Sequence, residues 1–463
     1  MTVNLLSFAS VMKSAGYVVL ALLILMIMIT VHEFGHYTVG KIFKFKINEF
    51  AIGMGPAIFK RKKKNGEIFS VRLFPFGGFC AFEGEDEEKD TDGAFNKKKP
   101  WQRILVLLAG ATMNYLLALL IIMISMNVYG QTLFGAAIVQ PNDTEAVFAE
   151  NSLQNGDYIV SLTRNGKKHS VFMATDLVNA LNHGKRLEIV YAEVVRDGEK
   201  QTVPVALRSD VECKNLTEVN KAYEALGIGG AMQVAASDGG VFETSDYILK
   251  INDREDYKDC TFIFNEEDFL ESVKDKTLGE QVSFYVSRGG KRIVVEKTLD
   301  SFWETTDKTD VSAVFSYFGI TGYEKAYYTD SASIRLGFFR SIGNSFLYSF
   351  KIGGTVFRTL GQLLTGKLGL NAVGGTVTTI VQTSKIVSYG LRYALEITAF
   401  IGVNLAVFNL LPIPALDGSR ALFCLIEWIR KKPINRTVEG IIHTVGLFLI
   451  LGFAILVDIL QFI

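Results

Sequence analysis

The chain has 463 residues, of which 49% are hydrophobic, and its acidic and basic residues are equal in number. That length exceeds one ordinary domain, and the apolar content is high for a soluble protein, so part of the chain should lie in a membrane. Zero net charge gives no global field for nucleic acid. The four cysteines, Cys80, Cys213, Cys260 and Cys424, have neither CxxC spacing nor the density of a disulfide framework; only a Cys213–Cys260 pair stays open.

In chain order, the first apolar run covers about residues 17–38 and ends in "TVHEFGH". No small-x-small cleavage site follows it, so it is read as a retained span. The next segment, "INEFAIGMGPAIF" with "FSVRLFPFGGFCAFEGE", alternates aromatic, aliphatic and glycine residues and predicts short strands. Non-helical backbone at membrane depth must be buried in protein or line a cavity. A second span follows at about 101–127.

Residues 131–330 are soluble in character and repeat internally. "DLVNAL" at Asp176 recurs as "DFLESV" at Asp268, "VRDGEK" at Arg196 as "SRGGKR" at Arg288, and "LGIGG" at Leu226 as "FGITG" at Phe318, each 92 residues on. "GDYIVSL" at Gly156 matches "SDYILKI" at Ser245 with an offset of 89. Two copies of one small domain are expected, at 131–232 and 233–330, each with strands, a helix and glycine-bearing turns. Ser245 stands where the first copy has glycine, so that turn is expected to differ. Residues 335–370 mix aromatic and basic positions in a pattern that suits a helix lying in the membrane interface. Spans three and four are predicted at about 390–411 and 440–460.

The loops after spans one and three are rich in lysine and arginine and should be cytoplasmic, which places the repeat and both termini outside. The expected division is therefore 1–130, 131–232, 233–330, 331–388 and 389–463. The first and last parts carry two spans each.

His32 and His36 share one helix face, with Glu33 between them. This H-E-x-x-H spacing suits two zinc-binding imidazoles and a carboxylate acting as general base on water. His169, His183 and His443 are isolated and read as ordinary surface or core residues. A third ligand is required. Among Glu396, Asp417, Glu427 and Asp458, Asp417 stands out, because "NLLPIPALDGSR" ends span three on the membrane face that carries His32 and His36. Glu427 is read as lying on a solvated helix face, and Glu396 and Asp458 as nearer the opposite membrane face.

Together, HEFGH, NLLPIPALDG and a repeated domain between them resemble the site-2 protease family, in its bacterial regulator-of-sigma-E protease branch. The two copies resemble PDZ domains. The resemblance implies a polytopic α-helical membrane protein with four transmembrane helices, a membrane-associated β segment and two tandem extracytoplasmic PDZ-like domains. It further implies Zn²⁺ held by His32, His36 and Asp417, with Glu33 as catalytic base. Substrate-binding roles fall to Asn409, Pro412 and Pro414 near span three and to Gly77, Gly78 and Phe79 in the β segment. Single-span membrane proteins in the lipid bilayer are the implied substrates, with peptide ligands possible for the PDZ-like domains. The cytoplasmic membrane is the implied location. Thr112, Thr376 and Ser419 depart from the family pattern without removing a ligand or the base. Two rival readings are a catalytically silent scaffold that recruits partners through its PDZ-like domains, and a metal transporter.

Overall fold

A computed structural model of the protein describes residues 2–85, 89–136, 153–154, 156–228, 230–251, 261–263, 265–288, 291–327, 330–370 and 373–462. It forms two compact units, Met1–Gly130 with Arg335–Ile463, and Gln131–Ile334. Cys260 lies outside the described residues, and so does any pairing with Cys213.

The first unit opens with α1 (Thr2–Ile42), which contains the first of four helices long and apolar enough to cross a membrane. After it, β1 (Ile47–Lys62) and β2 (Ile68–Phe82) pair as the sequence pattern predicts. Phe50 lies opposite both Phe69 and Cys80, so each long strand must bend. The bends fall at Gly53, Gly55 and Gly77, all with φ between 82° and 88°, where a side chain would be strained. Four segments result, with 57–62 and 78–82 at the outer edges. The second span, α2 (Pro100–Val128), starts with proline in its first turn, where a missing N–H costs nothing. Phe45, Phe50, Phe82, Phe95, Val106 and Leu107 form a core between these elements.

The second unit contains β3 (Gln131–Ala136), β4 (Asp157–Arg164), β5 (Lys167–Ser170), α3 (Ala174–Leu181), β6 (Ile189–Arg196), β7 (Glu199–Ala206) and α4 (Val219–Ala225). The equivalent series follows as β8 (Gly230–Ser237), β9 (Tyr247–Ile251), β10 (Thr261–Phe262), α5 (Glu266–Val273), β11 (Gln281–Arg288) and β12 (Lys291–Thr298). Then come α6 (Ser301–Thr305), α7 (Val311–Tyr317), β13 (Ile320–Tyr327) and β14 (Asp330–Ile334). One sheet has the order β14-β3-β4-β6-β7 and the other β12-β11-β9-β8-β13. Each sheet has its own apolar core, around Leu162 and Leu177 in one and around Phe269 and Phe284 in the other.

The sheets divide the segment differently from the expected boundaries at 232 and 330. Gly230 already begins a strand of the second sheet, while Asp330–Ile334 returns to pair with β3 in the first. The repeat-equivalent strands β8 and β13 pair with each other. A repeat reveals equivalent strands; which sheet each one joins depends on long-range pairing. The repeat landmarks also meet. Arg196 grips the buried Asp157 with two bonds of 2.7 Å, and Arg288 grips the buried Asp246 at 2.9 and 2.7 Å. The turn at Ser245 does not differ from its counterpart: Ser245 adopts φ 74° where Gly156 has 89°. The buried ion pair beside each turn imposes the same backbone.

The first unit resumes with α8 (Phe338–Leu364), whose buried face is Ser341, Ser345, Ser349 and Gly353 while Phe339 and Phe350 are exposed. Ser349 bonds Tyr115 of α2 at 2.8 Å. α9 (Thr376–Val387), α10 (Leu391–Leu410), α11 (Asp417–Arg430) and α12 (Arg436–Phe462) complete the chain, and α10 and α12 contain the remaining two spans.

Candidate metal centre

His32 and His36 project from the last quarter of α1 toward α2. Gly110 of α2 makes this approach possible: a Cβ there would lie 2.4 Å from His36 Nε2 and 2.7 Å from His32 Nε2. Asp417 arrives from the other end of the chain. The chain leaves α10, turns through Pro412 and Pro414, and enters α11 at Asp417. Gly418 allows that turn, since a Cβ there would sit 2.4 Å from the carbonyl oxygens of Leu410 and Leu411. Asp417 Oδ2 lies 2.9 Å from His32 Nε2 and 3.3 Å from His36 Nε2, and the two Nε2 atoms are 3.1 Å apart.

The far side of each ring fixes its tautomer. His36 Nδ1 donates to the Val106 carbonyl at 2.8 Å. His32 Nδ1 lies 3.4 Å from the side-chain amide of the fully buried Asn114, whose Oδ1 has no hydrogen-bond partner among the described residues. The amide orientation is set by its partners. Turning it over lets His32 Nδ1 donate to Oδ1 and satisfies both atoms. Both Nε2 lone pairs then face the Asp417 oxygen, so three acceptors converge. Such a set needs a shared cation. Ligands about 2.0–2.1 Å from a tetrahedral zinc lie roughly 3.3 Å from one another, close to the spacing here. His32, His36 and Asp417 therefore fit a metal ion, and they are the one such group found among the described residues.

Glu33 points along the β segment. Gly78 of the 78–82 edge packs on it, an ideal Cβ at Gly78 lying 3.5 Å from Glu33 Cγ. Gly77 takes φ 88° against Met54, and Phe79 stacks under Arg72 at 4.9 Å. Next to them, burial pushes the Cys80 thiol up, which keeps it inert. Asn409 lies half-buried in the last turn of α10. Pro412 is exposed and Pro414 half-buried in the loop beyond. Thr112 and Ser419 return their hydroxyls to the carbonyls of Leu108 and Leu416, 2.8 Å away in both cases.

The other carboxylates have different partners. Glu427 is not on a solvated face: it is buried, bonds Arg103 of α2 at 2.5 Å and accepts from the Ile434 amide at 2.9 Å. Its position, ten residues after Asp417 on α11, turns it inward onto α2. Asp458 accepts from the backbone of Val377 and Thr378 at the start of α9. Glu396 pairs with Arg392 on its own helix. One histidine that looked ordinary has a specific position. His443 of α12 accepts the Ala415 amide at 2.9 Å, two residues before Asp417, and Ala415 is held at φ 79°. An isolated histidine in an apolar run gives no sequence signal for such a contact.

Apolar spanning helices that bring two imidazoles and a carboxylate together beside a glutamate define a membrane-embedded metallohydrolase. The model of peptidase family M50 matches residues 20–453, and the chain belongs to that family, the site-2 proteases. It is similar to the Regulator of sigma E protease of Haemophilus influenzae, at 26% identity over 98% of this chain and all of the relative. It is also similar to the Zinc metalloprotease RasP of Geobacillus kaustophilus, at 27% over 91% of both chains. A third relative is the Probable protease eep of Enterococcus faecalis, at 27% over 93% of this chain and 95% of that one. The protein is thus an intramembrane zinc metalloprotease of the regulator-of-sigma-E branch.

Proposed function

We propose that His32, His36 and Asp417 hold the zinc and that Glu33 is the general base in cleavage of transmembrane segments of single-span proteins. The observation that carries this reading is the meeting of His32 with Asp417 at 2.9 Å, 385 residues apart in sequence, beside Glu33. Zinc bound there would polarise the scissile carbonyl and acidify a water molecule. Glu33 takes the proton from water and passes it to the leaving amine. Asn114 and the Val106 carbonyl hold the two imidazoles in the ligating tautomer. A helical substrate hides its amides, so it must unwind before attack. The 78–82 edge, with Gly77, Gly78 and Phe79, takes the extended form by strand addition. Gly78 lies against Glu33, which supports placing the scissile bond there. Asn409, Pro412 and Pro414 bound the opposite side of the substrate path.

The β-rich unit is a pair of PDZ-like domains outside the cytoplasmic membrane. They limit entry to substrates already shortened by an external cut, such as anti-sigma factors or remnant signal peptides. The basic loops Lys60–Lys64 and Arg430–Lys432 support a cytoplasmic position for the metal end. Phe338 and Phe339 at the start of α8 are 62% and 85% exposed, which supports a helix embedded at the membrane surface.

Glu33→Gln tests the assignment. Reconstituted with a single-span substrate, the variant should lose cleavage by at least about 1,000-fold, near the upper part of what a positioned acid–base group supplies, and keep its zinc. Unchanged cleavage would overturn the role of Glu33, and loss of zinc together with activity would make it a ligand or a structural residue.

A further inference from the structure

By helical spacing, the face of α1 opposite His32 and His36 carries Val31, Phe34 and Tyr37. Phe50, Ile52 and Phe69 of the β segment face them across an apolar groove of about 490 Å³. Lys63 and Glu67 close one end. Glu67 is only 2% exposed and accepts from Lys41 and Lys63, so its charge is neutralised within the protein. From Thr30 to Tyr37 the groove follows α1 for seven residues, about 10 Å at 1.5 Å per residue. That is about two thirds of one leaflet of a hydrocarbon core roughly 30 Å thick.

Beyond the closed end stands a cluster of cations. Lys60, Arg61, Lys62 and Lys64 are exposed and form no ion pair with any described residue. The strand that carries them is exposed on both faces from Met54 onward. Its apolar and basic parts are separated along the strand: Ile58 and Phe59, 68% and 51% exposed, come first and the cations follow. A strand partitioned in this way suits a position with one end in hydrocarbon and the other at the headgroups.

We propose that this groove binds one anionic phospholipid, with an acyl chain between α1 and the β segment and the phosphate on Lys60–Lys64. A neutral lipid would leave the cations uncompensated. An acidic peptide would bring a run of polar backbone into a groove lined mainly by apolar side chains, where most of its amides would find no partner. The bound chain would hold the β segment against α1, on whose other side Glu33 meets Gly78.

The test uses the full-length protein in detergent, equilibrated with phosphatidylglycerol, phosphatidylcholine or glycerol phosphate, with bound lipid counted by native mass spectrometry. One phosphatidylglycerol should be retained in preference to phosphatidylcholine, and glycerol phosphate should not displace it. The variant K60Q/R61Q/K62Q/K64Q should lose that preference by at least about tenfold, since each cation near an anionic headgroup is worth roughly 1 kcal/mol. K431Q/K432Q, which removes exposed cations elsewhere, should leave it unchanged. Ile52→Trp, which fills the groove, should expel the lipid while zinc content stays at the wild-type level. Equal retention of the two lipids, an unaltered preference in the quadruple variant, or equal loss in both charge variants would overturn the proposal. So would displacement by glycerol phosphate, because the acyl chain would then contribute nothing.

Discussion

The tightest point of the metal centre is Gly110, and Gly110→Ala is the most demanding test of its geometry. The added methyl would sit 2.4 Å from His36 Nε2 and 2.7 Å from His32 Nε2. Non-bonded heavy atoms settle near 3.5–4.0 Å, so one helix or both rings must move by roughly 1 Å. The helices cannot part freely, because α1 and α2 also meet backbone to backbone: a Cβ at Gly35 would lie 2.4 Å from the Ala109 carbonyl oxygen. Overpacking of this kind costs about 1–3 kcal/mol. A displacement of about 1 Å at a reacting group costs on the order of 100-fold in rate. Zinc per protein, measured by atomic absorption, should fall below stoichiometric, and cleavage of a reconstituted single-span substrate should fall about 100-fold. Gly16→Ala on α1, where nothing lies within 4 Å, serves as the control and should change neither. Full zinc and cleavage within about threefold of wild type in Gly110→Ala would refute the close approach of the helices as the basis of the site.

Two further outcomes follow from individual contacts. His443→Leu removes the acceptor of the Ala415 amide and should weaken zinc retention about 10- to 100-fold in chelator titrations, as loss of a ligand's supporting partner does. His443→Asn should recover part of it, and wild-type retention in the leucine variant would show that α12 does not position Asp417. Glu67 is held down at about 2 because the hydrogen bonds from Lys41 and Lys63 outweigh burial, which alone would raise it. Its contribution is therefore present above the ordinary carboxylate value near 4.5 and is lost as pH falls toward about 2. Thermal unfolding of Glu67→Gln and wild type should differ by about 3 kcal/mol near neutral pH and converge in acid. A gap that does not change with pH would mean that Glu67 acts by shape rather than by charge.

Much of this protein is legible in the order of its residues, because the strongest signals are local. Runs of some twenty apolar residues cross a bilayer whatever their neighbours. His32 and His36 share a face because a helix repeats every 3.6 residues. Gly53, Gly55 and Gly77 mark where the strands of the β segment bend. The copied landmarks around Asp157 and Asp246 announced two equivalent folds, and the structure explains them as the same buried ion pair formed twice. Contacts between distant residues left no local trace. Glu427 looked solvated because its partner, Arg103, is 324 residues away. The expected boundary at 330 left β14 outside both copies, yet it pairs with β3 in the first sheet, since strand pairing is a choice among edges that only the folded chain presents.

The sequence by itself determined the chemistry of this protein: two imidazoles at one helical spacing, a carboxylate between them, and a second motif that supplies an aspartate. Tertiary structure alone decided that these groups share one point. It brought α11 to α1, placed Asn114 and Val106 behind the rings to fix their tautomers, and let His443 secure the Asp417 loop. The physical reason is range. Helical periodicity and turn propensity act over a few residues, whereas a metal site requires atoms 385 residues apart to stand about 3 Å from one another, and only close packing across Gly110 and Gly418 achieves that.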